Sequence, residues 1–363
     1  MKKVFSLLLC LQVISSSLSL GQGMSGSFTL SKGDLIEDLL FSYYDNLQFN
    51  GSVLVVENNQ IIYENTFGFA DFENEEPLDG EIPFYLASLG KQFTAAAIIK
   101  LEEEGKLSLD DDLKKFLPMM PKTYDGIKIH HLLTHTAGVP DYINTLEIAR
   151  PGLTNMDVYE ALVKLRSLNS LPGNKYRYSN SGYVLLAMVA QVAAGQTIEK
   201  YFQEQIFDVF EMNNSFVYSA ATKDRLRVKG YTSKNKPDDY DLETVGDGGI
   251  YSTARDLFKW EQALNTGKFI SKESLDKVYT QVVLTNGRTR RYGYGWEIGS
   301  NSKGKLVYHD GELAGFRTYI ERQLVTDNAI IILTNNSFSQ VADLRNTLVK
   351  ILDGRLIALP IEK

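Results

Sequence analysis

Cysteine is almost absent from the sequence, and this absence excludes several kinds of site. Cys10 is the single cysteine among 363 residues, and it lies inside an apolar segment near the amino terminus. The rest of the chain therefore offers no disulfide, no thiolate nucleophile and no cysteine ligand for a metal. Histidine is also scarce: four are present, and three of them cluster at His130, His131 and His135.

An excess of positive charge and a long apolar run are missing as well. Lysine and arginine number 38 against 45 aspartates and glutamates, which gives a formal net charge of −7. A chain of this charge repels nucleic acid and anionic membrane surfaces, so we expect neither as a partner. After the amino-terminal segment no stretch is apolar enough for an integral membrane span, and the sequence contains no repeat or low-complexity run.

Residues 1–21 have the pattern of a secretory signal peptide. Two lysines near the start are followed by an apolar run over residues 4–13 and then by a serine-rich stretch. The apolar run is too short to cross a bilayer. We therefore expect cleavage between Ser19 and Gly23 and export of the mature chain to the periplasm or the medium.

The periodicity of apolar residues predicts a protein of the α/β (α+β) class with two lobes. Residues 24–106 and 246–363 form the predicted α/β lobe, an antiparallel sheet flanked by helices, and residues 107–245 an inserted, mainly α-helical lobe. A hairpin is predicted at Asn58-Asn59. Further strands are predicted over 292–298, 306–309, 316–325 and 329–333. Helices are predicted over 34–47, 156–165, 183–194, 256–264 and 344–352.

The stretch from Phe84 to Ala97 predicts a short extended segment that turns into a long apolar helix. Ser88 lies in the first turn, and Lys91 follows three residues later on the same face. A lysine desolvated beside an apolar helix can lose its proton and act as the base for a serine hydroxyl. The alternative is a first-turn serine beside a solvated lysine. The same Ser-x-x-Lys spacing recurs in polar or glycine-rich settings at Ser233, Ser274, Ser300 and Ser302.

Two later stretches carry further candidate residues. The turn-rich loop 172–182 presents Tyr178 and Asn180 at the start of an apolar helix, where a phenol can relay a proton and an amide can bind a substrate carbonyl. Near the carboxy terminus a predicted strand ends at His309, and the glycines after it permit close approach of backbone to a ligand. Tyr-x-Asn is a weak pattern, and a lone histidine at a strand end is more often structural.

Taken in order, these stretches resemble the serine β-lactamase-like hydrolases, the superfamily of class C β-lactamases, DD-peptidases and related esterases. Ser-x-x-Lys is the signature of β-lactamases and penicillin-binding proteins. Tyr178-Ser179-Asn180 resembles the second motif, and His309-Asp310-Gly311 resembles the third, with His where β-lactamases of this type carry Lys. Residues 132–142 and 248–257 also match, as stretches that we regard as non-catalytic.

The resemblance implies a β-lactamase/DD-peptidase-like fold and a role for each motif residue. Ser88 would be the acylated nucleophile, Lys91 its general base, and Tyr178 the group that exchanges protons with Ser88 and the leaving group. Asn180 would hold the substrate carbonyl or the lysine ammonium. No cofactor is implied, because these side chains supply both the nucleophile and the proton transfers.

The third motif would supply the substrate-binding residues His309, Gly311 and Glu312. The oxyanion hole would consist of the backbone N–H groups of Ser88 and Glu312. Asp310 stands where a hydroxyl residue would help to bind a substrate carboxylate, and Gly90 stands where Ser or Thr is usual. If Asp310 faces the site, its charge repels carboxylate substrates, so we expect uncharged esters or amides to be preferred over β-lactams.

Other functions stay open at this point. His131 and His135 have the i, i+4 spacing of a metal hydrolase, but no glutamate follows the first of them as it does in zincins. A non-catalytic binding or sensor protein on the same fold is the second alternative, favoured by Gly90 and Asp310. Within the hydrolase interpretation, the substrate could be an ester, an amide, a D-amino-acid peptide or a β-lactam. The sequence does not predict the oligomeric state.

Overall fold

The computed structural model describes residues 30–233 and 236–355, so the predicted signal peptide lies outside the described residues. The helices are α1 Lys32–Asp45, α2 Lys91–Glu103, α3 Leu113–Phe116, α4 Ile129–Leu133, α5 Asn155–Lys164, α6 Asn180–Ala194, α7 Ile198–Phe202, α8 Ala254–Asn265, α9 Lys272–Val278 and α10 Val341–Leu352. The strands are β1 Gly51–Glu57, β2 Gln60–Phe67, β3 Phe69–Asp71, β4 Glu76–Pro77, β5 Phe84–Tyr85, β6 Phe216–Val217, β7 Tyr231–Ser233, β8 Lys236–Pro237, β9 Ile250–Ser252, β10 Val282–Val283, β11 Thr289–Arg290, β12 Glu297–Asn301, β13 Gly304–Leu313, β14 Phe316–Gln323 and β15 Asn328–Thr334.

A six-stranded antiparallel sheet in the order β12-β13-β14-β15-β1-β2 forms the centre of the fold. The amino-terminal hairpin joins the carboxy-terminal strands because β1 pairs with β15, with Gly51 opposite Thr334. Helices cover both faces. Val53 and Val55 pack with α1 and α10 on one face, whereas Leu54 packs into the larger core on the other. The predicted fold class, an antiparallel sheet flanked by helices, is therefore confirmed.

The predicted hairpin at Asn58-Asn59 is also confirmed. Glu57 lies opposite Gln60 in the β1–β2 pair, and the two asparagines have φ values of 49° and 64°. Two successive residues with positive φ match the type I′ turn, for which asparagine is a favoured residue. The predicted helices at 34–47, 156–165, 183–194, 256–264 and 344–352 correspond to α1, α5, α6, α8 and α10.

One predicted strand is wrong over most of its length. The segment predicted as a strand over 292–298 becomes part of the sheet only at Glu297. A Cβ on Gly293 would lie 2.1 Å from the carbonyl oxygen of Val278, and a Cβ on Gly295 would lie 2.9 Å from that of Lys91. The glycines therefore let this segment pass close against the end of α9 and the start of α2 instead of continuing a ladder.

The described residues between 107 and 245 contain α3 to α7 and, as strands, the short β6, β7 and β8. The division of the chain into two lobes at residues 106 and 246 stays a prediction. Over residues 30–233 and 236–355, no single helix has the length and hydropathy needed to cross a membrane. The segments Asn180–Ala194 and Ile198–Phe207 satisfy both criteria only when joined, and the chain bends by 77° between them.

Candidate active site

Ser88 lies in a short 3₁₀ turn, Ala87–Gly90, that leads directly into α2. Its neighbour Ala87 is buried and has a φ of 50°, a conformation that non-glycine residues seldom adopt. The strand before the turn is held by β9, with Phe84 opposite Ser252. The candidate nucleophile is therefore half-buried on a strained turn. Two residues separate it from the first residue of α2.

Lys91 is fully buried, and its Nζ atom has three oxygen partners. Nζ lies 3.0 Å from Ser88 Oγ, 2.8 Å from Asn180 Oδ1 and 2.7 Å from the backbone oxygen of Asp247. The carbonyl oxygens of Asn180 and Asp247 can only accept, so they take two N–H bonds from the lysine. In the neutral amine the third position is the lone pair, and it faces the Ser88 hydroxyl.

The environment of Lys91 favours this neutral form. Burial lowers the pKa of Lys91 to about 8, because desolvation disfavours the ammonium, while the carboxylates of Asp247, Asp141 and Asp310 act in the opposite direction. With a pKa near this value, about a tenth of the lysine is neutral at pH 7 and about nine tenths at pH 9. Helix α2 is buried on almost every side, which supplies the desolvation.

Tyr178 donates a hydrogen bond to Ser88 Oγ at 2.9 Å. Its ring lies 4.9 Å from Lys91 Nζ and 4.2 Å from the ring of His135. Burial by these neighbours raises the pKa of Tyr178 above its usual value, although 37% of the residue faces the open cleft and solvent there limits the increase. At neutral pH the phenol is therefore protonated, and Lys91 is the better candidate for the base.

Asp141 holds the residues around Asn180 in place. Its Oδ2 atom accepts the backbone N–H of Asn180 at 2.6 Å. Its Oδ1 atom accepts the backbone N–H groups of Ile143 at 3.1 Å and of Asn144 at 2.8 Å. Sequence analysis missed this contact to the second motif because it regarded the stretch 132–142 as non-catalytic. The turn-like composition around Asp141 was the only local feature that could have indicated the contact.

Asp247 was missed as well. It precedes the matching stretch 248–257, and its backbone oxygen accepts from Lys91 Nζ. Its carboxylate is buried and accepts a hydrogen bond from the Tyr142 hydroxyl at 2.9 Å. Burial raises the pKa of Asp247, which the nearby Lys91 counteracts. No local pattern indicates this residue, because its partners lie more than a hundred residues away.

His309 is a buried neutral imidazole. Its Nδ1–H donates to the carbonyl oxygen of Asp310 at 2.6 Å, and its Nε2 atom accepts from the Tyr292 hydroxyl at 3.1 Å. Burial lowers the pKa of His309 to about 4. Because the imidazole is neutral and its N–H already has a partner, His309 offers neither a charge nor a donor for a substrate carboxylate. Its predicted contact with the substrate stays a prediction.

Gly311 brings β13 against the turn that carries Ser88. A Cβ at this position would lie 2.5 Å from the carbonyl oxygen of Leu86 and 2.2 Å from Thr318 Oγ1. The Thr318 hydroxyl itself donates to Leu86 O at 2.8 Å. Only glycine allows this close packing between the third motif and the nucleophile turn.

Asp310 and Glu312 lie on the face of β13 opposite His309 and Gly311, as the alternating burial of the strand requires. β12 pairs with β13 no further than Tyr308, so the outer edge of residues 309–313 borders the cleft. Asp310 is exposed and lines both the cleft and a groove beside α10. Asp310 therefore lies at the rim of the cleft, and its predicted effect on carboxylate substrates stays a prediction. Glu312 forms an exposed ion pair with Arg317 at 2.8 Å.

A cleft of about 440 Å³ opens at Ser88. Among the described residues that line it, every ionisable side chain other than the tyrosines and His309 is acidic: Asp247, Glu297, Asp310 and Glu312. Asn144 and Asn180 add neutral hydrogen-bonding groups to the lining. The cleft thus combines a serine, a buried lysine and a protonated tyrosine with an acidic rim.

The three clustered histidines have separate partners. His130 Nδ1 lies 3.2 Å from Leu109 O, and His131 Nδ1 accepts the Lys128 N–H at 3.0 Å. His135 Nδ1 accepts the Ser179 N–H at 3.1 Å. His135 packs among the rings of Tyr176, Tyr178, Tyr183 and Tyr292. Across the described ranges, no group of three or more His, Cys, Asp or Glu side chains is arranged to hold a metal ion.

This fold and this site are those of the β-lactamase and penicillin-binding family of serine hydrolases, and comparison with known proteins agrees. The chain belongs to the β-lactamase family, whose model, described as Beta-lactamase, matches residues 45–353. The family predicted from the motifs is thereby confirmed.

The individual relatives agree with this assignment. Penicillin-binding protein 4* of Bacillus subtilis (strain 168) is 36% identical over 315 residues, which cover 79% of this chain and 68% of that protein. The octameric penicillin-binding protein homologue from Pyrococcus abyssi is 26% identical with a TM-score of 0.78, and the match covers 90% of this chain and 78% of that one. A class C β-lactamase shares the fold at 21% identity and a TM-score of 0.75, over 90% of this chain and 97% of its own.

Proposed function

We propose that this protein is an exported serine hydrolase that cleaves ester or amide substrates through an acyl-enzyme formed on Ser88. The observation that carries the proposal is the position of Lys91 Nζ, which two carbonyl oxygens hold with its third site 3.0 Å from Ser88 Oγ. Its lowered pKa and the Tyr178 hydrogen bond support the same chemistry.

In the proposed acylation step, neutral Lys91 takes the proton of Ser88 while Ser88 Oγ attacks the substrate carbonyl carbon. The oxyanion that forms is stabilised by the backbone N–H groups assigned from the family motif, those of Ser88 and Glu312. As the bond to the leaving group breaks, Tyr178 donates its proton to that group and recovers one from the Lys91 ammonium. Water then attacks the carbonyl carbon of the acyl-enzyme and gives a proton to neutral Lys91. The bond from that carbon to Ser88 Oγ breaks, the acid product leaves, and Ser88 Oγ takes a proton back from Lys91, which restores the starting state.

The acidic rim favours uncharged substrates over those that carry a carboxylate near the scissile bond. Neutral His309 supplies no opposing charge. If Asp310 faced the site directly, two charges roughly 5 Å apart would repel by about 3 kcal/mol at an effective dielectric constant near 20. Because Asp310 is exposed, solvent screening reduces this to about 1 kcal/mol, or about fivefold in binding. Since β-lactams and D-Ala-D-Ala peptides carry such a carboxylate, β-lactamase or DD-carboxypeptidase activity is the second candidate. The similarity to Penicillin-binding protein 4* supports it.

A hydrolysis panel tests the proposal. p-Nitrophenyl esters, D-amino-acid anilides, a D-Ala-D-Ala peptide and a chromogenic cephalosporin are compared on the purified protein and on Ser88→Ala. We expect turnover of the uncharged substrates that Ser88→Ala abolishes, and slower turnover of the two carboxylate substrates. Efficient cephalosporin hydrolysis would favour the β-lactamase function instead, and absence of all turnover would favour a binding protein.

The export part of the proposal rests on the signal-peptide pattern of residues 1–21. Expression of the full-length chain in a bacterial host that secretes proteins provides the test. The mature protein should be recovered outside the cytoplasm with an intact mass that lacks the first ~19 to 22 residues, as cleavage between Ser19 and Gly23 requires. Retention of these residues on a cytoplasmic protein would contradict it.

A further inference from the structure

A second cavity continues the catalytic cleft. This cavity, the distal basin, has a volume of about 560 Å³ and is lined by the arginines Arg290 and Arg291. Tyr176 and Glu297 line both cavities, so the basin and the cleft are contiguous. Arg290 and Arg291 line the basin but not the cleft, and neither belongs to a family motif.

The charge of the wall reverses between the cleft and the basin. The segment 284–291, which ends at the basin, contains three arginines and no carboxylate. In the described part of the chain, no carboxylate oxygen lies within 4.0 Å of the guanidinium of Arg290 or Arg291. Arg290 stacks over the Tyr176 ring at 4.8 Å, which orients its guanidinium and leaves its N–H donors for a ligand.

The role proposed for Tyr178 puts the basin on the leaving-group side of Ser88. Tyr178 is the residue assigned to protonate the leaving group, and Tyr176 precedes it by two residues on the same loop. The segment that carries the arginines is anchored to that loop: the Thr285 N–H donates to Gly173 O at 3.0 Å, and the Thr285 hydroxyl donates to Asn174 Oδ1 at 2.6 Å. A long leaving group that passes Tyr178 therefore continues towards Arg290.

We propose that Arg290 and Arg291 bind an anionic group, a carboxylate or a phosphate, at the far end of a long leaving group. This inference rests on the proposed hydrolase function and specifies its substrate class. It predicts that an anion on the leaving group lowers the rate when the leaving group is short and raises the rate when it is long. An anion on a short leaving group meets Glu297 and Asp310 and lowers the rate, whereas an anion on a long one reaches the arginines and raises it.

Acetate esters of 4-hydroxyphenyl-alkanoic acids test this prediction. The number of methylenes between the ring and the terminal carboxylate is varied, and each ester is paired with its neutral carboxamide of the same length. The phenol leaves in the acylation step, so kcat/KM for its release reports only steps up to acylation. All members share one acyl group, so their deacylation steps are identical. We expect the carboxylate-to-carboxamide ratio of kcat/KM to lie below one for the shortest members and to rise to about fivefold for the longest.

The double variant Arg290→Gln, Arg291→Gln should return the ratio for the longest members to one or below. Arg288→Gln removes a charge from the same segment but does not line the basin, and it should leave the ratio unchanged. Salt of about 0.5 M should also reduce the ratio in the unmodified protein, a test that needs no variant. A terminal phosphonate distinguishes a subsite for anions in general from one that fits the planar carboxylate.

A ratio that stays at or below one at every length, or that does not respond to the double variant and to salt, would overturn the distal subsite. In that case the neutral carboxamide esters still report on the proposed hydrolase function. If neither series is turned over and Ser88 is not acylated, the hydrolase proposal itself has failed.

Discussion

The pH dependence of kcat/KM should follow the deprotonation of Lys91. Burial lowers the pKa of this lysine to about 8. A base must be neutral to accept the serine proton, so activity is low below this pH and rises through it. From the fraction of neutral amine, kcat/KM should increase about tenfold between pH 7 and pH 9 and should fall about tenfold per pH unit below pH 7.

The assay uses an uncharged acetate ester, whose own ionisation does not change over pH 6–10. Asp247→Asn provides the matched perturbation. Desolvation lowers the pKa of Lys91 and the Asp247 carboxylate opposes that effect, so removal of the carboxylate should move the midpoint of the profile to lower pH. Tyr178→Phe should reduce the rate without moving the midpoint, since the pKa of Tyr178 is raised away from this range.

Lys91→Arg completes the set, because a guanidinium does not deprotonate in this range and the variant should be almost inactive. A flat profile between pH 7 and pH 9 would refute the assignment of Lys91 as the base. The assignment would also be refuted if the midpoint of the pH profile disappeared in Tyr178→Phe while Lys91→Arg kept substantial activity.

Three further outcomes follow from the geometry. Tyr178→Phe should lower kcat by about a hundredfold with a smaller change in KM, measured with the same ester, because the phenol acts in the transition state. Gly311→Ala should lower the free energy of unfolding in urea by about 2 kcal/mol or more and suppress activity, since the added Cβ would lie 2.2 Å from Thr318 Oγ1. Asp310→Thr should improve carboxylate substrates about fivefold in kcat/KM relative to uncharged ones, and an equal change in both would show that Asp310 does not act on the substrate.

The part of the site that follows from local sequence is the Ser88–Lys91 pair. Its spacing places both side chains on one side of a helix start, and the apolar run predicts the burial that lowers the lysine pKa. The Asn58-Asn59 turn follows from sequence for the same reason, because its conformation depends on the two residues themselves. In both cases the determining contacts are only a few residues apart.

The contacts that hold the site together are not local. Asn180 and Asp247 reach Lys91 across 89 and 156 residues, so a single sequence places Asn180 only through its family motif and leaves Asp247 unnoticed. The rim position of Asp310 depends on where β12 stops pairing with β13. The segment 292–298 failed as a strand because Gly293 and Gly295 serve close packing against other elements.

The most direct test of the account is to identify the residue that becomes acylated. The protein is treated with a fluorophosphonate or a slowly released acyl substrate, and the adduct is detected by intact mass and located by peptide mapping. We expect one adduct per chain on Ser88, formed faster at pH 9 than at pH 7 and absent from Ser88→Ala. An adduct on another serine, or hydrolysis that persists in Ser88→Ala, would contradict the account.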